Sequence, residues 1–126
     1  MEDYFVTVDR KIKVTQQDID DIMVTALEGG ITYWCNKATV VGEYLGEYAS
    51  EQISRGGTLI LYDAEDDNEY TLDLEKILCG IQQAIDDHWF ESYGWYEGEE
   101  IDPCNIDADV ADTIIQLAIF NDIIFG

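Results

Sequence analysis

From Ile77 to Gly126 the chain carries eleven Asp and Glu and not one Lys or Arg. That run constrains the chain more than any other feature, because any fold built from it must project a continuous negative field over its C-terminal part. The 126-residue sequence has 28 acidic and 6 basic residues, a formal net charge of -22. Solubility of a small domain needs a magnitude of only about 2 to 8. The excess destabilises a compact state through self-repulsion, most of all at low salt. Hydrophobic residues nevertheless make up 47% of the chain and aromatics 12%, so a core can form and the chain is no disordered acidic tail. One domain spanning 1–126 is the simplest organisation.

The same field excludes some partners. Direct binding to DNA or RNA is disfavoured because phosphates are repelled, whereas cationic surfaces are attracted. Arg10, Lys11 and Lys13 cluster near the N-terminus, leaving Lys37, Arg55 and Lys76 for the rest. No stretch approaches 18 apolar residues, and MEDYFVTVDRKIK lacks the basic-then-apolar order of a signal peptide, so neither a membrane span nor export is expected. Cys35, Cys79 and Cys104 are odd in number and widely spaced, with no CxxC. That pattern fits reduced thiols in a cytoplasm, without a zinc site.

Local signals outline an α+β fold of about three helices packed on a small, mainly antiparallel sheet. YFVTV (4–8) reads as a short strand. Thr15 opens TQQD as a helix cap, with Ile19, Ile22, Met23, Ala26 and Leu27 forming one apolar stripe. Gly29 stands where a left-handed cap residue would end that helix. Residues 39–54 are ambiguous, with helix favoured in the latter part. TLILYD (58–63) and EYTLD (69–73) form a hairpin around AEDDN. Asp73 caps a second helix with the stripe Leu74, Ile77, Leu78, Ile81 and Ile85. Asp107 caps a third, through Val110, Ala111, Ile114, Leu117 and Ala118 to about Phe120.

Catalytic and metal patterns are weak. AEDDNE is densely acidic, but counting Asp63 as position 1 of a calcium loop puts Asn68 at the required glycine and Leu74 at the bidentate acid. His88 is the only histidine and fits no triad or metal spacing. No Gly-rich phosphate loop is present, no metal or other cofactor is expected, and the chain reads as non-enzymatic. Stronger is the aromatic composition: Tyr33, Trp34, Trp89, Phe90, Tyr93, Trp95 and Tyr96 include all three tryptophans. Those in the long loop interleave with Glu91, Glu97, Glu99 and Glu100. Aromatics ringed by acids suit recognition of a basic protein, whose Arg and Lys pair with carboxylates and lie over rings. The competing reading packs the rings into the core, and for Trp34 core is favoured.

EGGITYW, ISRGGTLILYD, LDLEKILCGI and DADVADTIIQLAIF, in that order, resemble a family of small uncharacterised proteins encoded by phages and prophages. The resemblance runs from about Thr15 to the C-terminus and carries no catalytic residue with it. It implies a bacterial cytoplasm during infection and an accessory rather than a virion role. Charge and resemblance together lead to one expectation: an inhibitor of the DNA-mimic or anti-CRISPR type, binding the basic nucleic-acid-binding surface of a host nuclease or defence effector. Glu65, Asp66, Asp67 and Glu69 in the first turn, and Glu97, Glu99, Glu100 and Asp102 in the long loop, would imitate phosphates, with Trp95 and Tyr96 as anchors. The alternative is a binder that sequesters a nucleotide immune signal, through Trp34, Trp89 or Trp95 and a phosphate contact from Arg55. A third reading is an acidic structural or assembly protein, and a homodimer remains open throughout.

Overall fold

The computed structural model describes residues 12–126; the strand expected at 4–8, and Arg10 and Lys11 of the basic cluster, lie outside them. Helix α1 (Gln16–Thr25) begins where the sequence places it. Thr15 Oγ1 accepts from the Asp18 amide at 3.0 Å, and Asp18 Oδ2 accepts from the Thr15 amide at 2.9 Å. This reciprocal pair satisfies two amides that the first turn leaves without helical partners.

The end of α1 differs from expectation. Instead of stopping at a left-handed Gly29, the chain widens into a π-helical turn, Ala26–Gly30, and positive φ among the glycines occurs elsewhere. Gly30 is the constrained member of the pair: a Cβ there would lie 2.9 Å from the Ala108 carbonyl oxygen and 3.5 Å from the Asp112 amide. The glycine permits close approach of this turn to the start of helix α3 (Ala108–Phe120).

The sheet is three-stranded and antiparallel, ordered β1 (Cys35–Val40), β2 (Leu59–Asp63), β3 (Glu69–Leu72). Leu59 pairs with Val40 and Leu72, and Leu61 with Ala38 and Tyr70, so one face presents a row of apolar side chains to the core. Asn36 bulges out of register between Cys35 and Lys37. Residues 41–48 are irregular, and only a single 3-10 turn, Ala49–Glu51, forms where helix was favoured.

Helices α2 (Leu74–Asp86) and α3 supply much of the rest of the core, with α1, Trp34 and Trp95. Asp73 caps α2 through the Lys76 amide at 2.9 Å, and Asp107 caps α3 through the Val110 amide at 3.0 Å. Ile77, Gly80, Ile81 and Ala84 of α2 are buried, whereas Leu78, assigned to the stripe from its spacing, faces solvent. Every residue of α3 from Val110 to Leu117 except Asp112 is buried, and α3 contacts α1, α2, the π turn and β3. It is the element around which the others assemble.

Between α2 and α3, in the segment read as a long acidic connection, lies a second small hairpin, β4 (Tyr96–Glu97) with β5 (Glu100–Ile101). The N-terminal segment joins it, with the Lys13 amide donating to the Glu99 carbonyl at 2.7 Å. No described helix is long and apolar enough to cross a membrane. All three cysteines are free, Cys35 buried and Cys79 and Cys104 exposed.

Candidate functional site

The Tyr33-Trp34 pair is structural. Trp34 is buried, stacked on Phe125 at 4.8 Å between ring centroids and 3° from parallel. Its indole N–H donates to Asp112 Oδ1 at 2.8 Å, and the Tyr33 hydroxyl donates to Asp112 Oδ2 at 2.6 Å. Gln116, also buried, accepts from the amides of Ile124 and Phe125 at 2.9 Å each and donates to Asp112. With the bond from the Tyr33 hydroxyl to the Phe125 carbonyl at 3.2 Å, these latch the C-terminal tail onto α3 and the Tyr33-Trp34 pair. Each partner lies nearly eighty residues or more from Tyr33, or within α3 itself, so no local pattern announces the latch.

Burial and the neighbouring Asp112 carboxylate push the Tyr33 hydroxyl up to about 12. A raised folded value favours the neutral phenol, so its stabilisation is complete below the unfolded value of about 10 and lost as pH rises through about 12. Loss of the Tyr33–Asp112 contact is therefore expected over that window, read as a change in the fluorescence of neighbouring Trp34. Tyr33→Phe should abolish the alkaline step, and an unchanged step in that variant would assign it elsewhere.

Of the eight carboxylates expected at the surface, Glu65, Asp66, Asp67, Glu69, Glu97, Glu99, Glu100 and Asp102 are all exposed, and none forms an ion pair within the described residues. The β2–β3 turn owes its shape to Asp63. This buried side chain accepts from the Glu65 and Asp66 amides at 3.1 and 2.6 Å and from the Tyr70 hydroxyl at 2.8 Å. The Asp66 amide above all holds the Asp63 carboxyl below its ordinary value. With Asp63 turned inward, Glu65, Asp66 and Asp67 are presented outward on an ordered turn. Among the described residues no three His, Cys, Asp or Glu side chains converge as metal ligands would.

In the second cluster, Glu97 stands directly opposite Glu100 across the β4–β5 ladder. Glu99 lies in the turn between them beside Gly98, whose φ of 61° suits a residue without a Cβ. Directly opposed side chains on antiparallel strands have Cβ atoms about 4.5–5.5 Å apart, and like charges there are destabilising. Asp102 also accepts from the Cys104 amide and the Asn105 side chain at 3.1 Å each, capping a short turn.

The aromatic anchors require correction. Trp95 has no exposed surface (0%); its indole N–H donates to the Trp89 carbonyl at 2.9 Å, and its ring packs edge-on to Tyr96 at 4.7 Å. It cannot reach a partner. Tyr96 is half-buried, its hydroxyl donating to Glu91 at 3.1 Å. Within the segment between α2 and α3, Trp89 (37% exposed) and Tyr93 (42%) are the rings that face solvent, linked through Phe90 at 6.0 and 5.0 Å. His88 and Phe90, on either side of Trp89, both hold positive φ, 60° and 53°. This is an uncommon conformation for non-glycine residues and one that concentrates at functional sites.

For the nucleotide-binding set, burial has the same consequence. Trp34 and Trp95 offer no open ring face, which leaves Trp89. Arg55 donates to the Glu51 carbonyl at 3.4 Å and pairs with Asp20 at 3.9 Å. Comparison with protein-family models, curated proteins and solved structures finds no match to this chain.

Proposed function

We propose that this chain is a non-enzymatic inhibitor that occupies the basic, nucleic-acid-binding surface of another protein by imitating phosphate. The observation that carries the reading is the β4–β5 tip, where Glu97 and Glu100 oppose one another with Glu99 between them and no cation paired to any of the three within the described residues. Such an arrangement costs an isolated fold of the order of 0.2–1 kcal/mol. A lysine or arginine placed over the tip turns that repulsion into attraction. The Asp63-shaped turn offers a second group of outward carboxylates, and Trp89 and Tyr93 replace Trp95 and Tyr96 as the rings available to a partner. The overall charge steers encounter with a cationic channel and speeds association at low salt. With the phage resemblance, the reading extends to an accessory protein acting in a bacterial cytoplasm against a nuclease or similar defence effector.

A mimic and the nucleic acid it imitates must exclude one another. Immobilised protein should therefore capture its target from bacterial lysate at low salt, release it at about 0.5 M salt, and release it at low salt when duplex DNA is added in excess. Capture that persists unchanged in excess duplex DNA would overturn the reading.

A further inference from the structure

The loop between β1 and β2 combines features that a merely solvated connection lacks. Of the ten large apolar side chains exposed among the described residues, four lie within the eight residues Val41–Tyr48. Tyr44 and Tyr48 are each 60% exposed and Leu45 is 50% exposed, interleaved with Glu43 and Glu47 in the repeat GEYLGEY.

The backbone beneath these side chains is tied down. Gln52, 1% exposed, accepts from the Leu45 amide at 3.0 Å and donates to the Glu43 carbonyl at 3.2 Å. Glu51 Oε1 accepts from the amides of Glu47 and Tyr48 at 2.6 and 3.1 Å. Gly46 sits so close to Glu51 that a Cβ would fall 2.8 Å from the Glu51 Cβ. A buried amide side chain thus orders a loop whose own apolar groups remain in water. Rigid presentation of apolar groups lowers the ordering cost of binding, and tyrosines beside carboxylates match a guanidinium, which pairs with the acid and lies over the ring.

We infer that the 41–48 loop docks an arginine-bearing patch of the target protein, with Tyr44, Leu45 and Tyr48 as contact surface and Glu43 and Glu47 as ion-pair partners. The inference rests on the inhibitory reading above and adds to it a contact outside both acidic hairpins. Charge complementarity selects the occupant. A second copy of this chain would bring Glu43 and Glu47 of one molecule against those of the other, whereas an arginine-rich surface neutralises them.

The test is a titration of isotope-labelled protein with an oligoarginine peptide at about 0.15 M salt, followed by amide chemical shifts. The comparison is a variant carrying Tyr44→Ser, Leu45→Ser and Tyr48→Ser, which keeps every charge and alters only exposed side chains. Expected are shifts at residues 42–48 and binding at least about tenfold weaker in the variant. Shifts confined to the hairpins at 65–69 and 97–100, with the variant binding as tightly as the parent, would overturn the inference and leave the mimic reading standing. Absence of peptide binding would overturn it too. Concentration-dependent dimerisation of the parent, lost in the variant, would instead assign the loop to self-association and overturn it. Failure of the mimic reading shows separately, as target capture that duplex DNA does not displace.

Discussion

Gly80→Ala should destabilise the protein by about 3 kcal/mol or more, at the upper end of what overpacking usually costs, and lower its thermal midpoint by roughly 10 °C. An added Cβ would lie 2.5 Å from the Ile114 carbonyl oxygen, with the Ala118 amide and Cβ at 2.9 Å. Two of these three contacts are backbone and cannot be relieved by a rotamer change, so α2 and α3 must separate. Separation would expose the buried residues of both helices. Helix propensity alone works the other way, since alanine is favoured over glycine in a helix interior by up to about 1 kcal/mol. Gly29→Ala supplies the control. No atom lies within 4 Å of a Cβ built at Gly29 and its φ is not positive, so that variant should match or slightly exceed the parent in a urea or thermal melt. A Gly80→Ala protein as stable as Gly29→Ala would show that the two helices do not cross at this distance.

Those two glycines also mark how far the fold was legible in the sequence. Helix starts were readable because a cap is a local device: Thr15, Asp73 and Asp107 each bond an amide three residues on. The β2–β3 hairpin was readable from alternation around a polar turn. Gly29-Gly30 read as a stop signal because glycine is usually needed for its own φ. Here Gly30 is needed for what lies against it, and that contact belongs to α3, almost eighty residues away. Residues 39–54 are ambiguous in the sequence for a related reason. Their order comes from Gln52 and Glu51 side chains bonding loop amides, which has no periodicity to detect.

The candidate site is legible in the sequence as composition but not as geometry. The exposure of the eight acids follows from number, because so many carboxylates exceed what any core can absorb. Assigning aromatic roles within DHWFESYGWYEGEE depended on knowing which rings turn inward. That is decided by strands of two residues each and by the bond from the Trp95 indole to the Trp89 carbonyl. Neither leaves a trace at the level of residue patterns, so Trp95 looked as available as Trp89. The 41–48 loop has neither helical nor strand periodicity, so its exposed side chains fall on no face that a pattern predicts. The repeat GEYLGEY was the signal that could have found it.

Replacing Glu97, Glu99 and Glu100 together with glutamine should weaken target binding by at least about a hundredfold at low salt, while the fold is preserved or gains up to about 1 kcal/mol. Glutamine keeps the shape and removes the charge, so repulsion across the β4–β5 ladder disappears in the free protein and attraction disappears in the complex. Loss of binding with a gain in stability is the signature of charges placed for a partner. A structural role would lower both, and a bystander surface would leave affinity unchanged. Affinity measured over a range of salt concentrations sharpens the distinction, because losing three ion pairs should flatten the salt dependence as well as lower the affinity. The matching variant of Glu65, Asp66 and Asp67 decides whether the two acidic turns act together. If both are needed, each variant alone loses most of the affinity and the combination loses little more. If only the β4–β5 tip contacts the target, the turn variant binds like the parent apart from slower association, the effect expected of charge that steers without touching. Stability raised and affinity untouched in the Glu97, Glu99 and Glu100 variant would remove the hairpin from the interface, and with it the observation on which the phosphate-mimic reading stands.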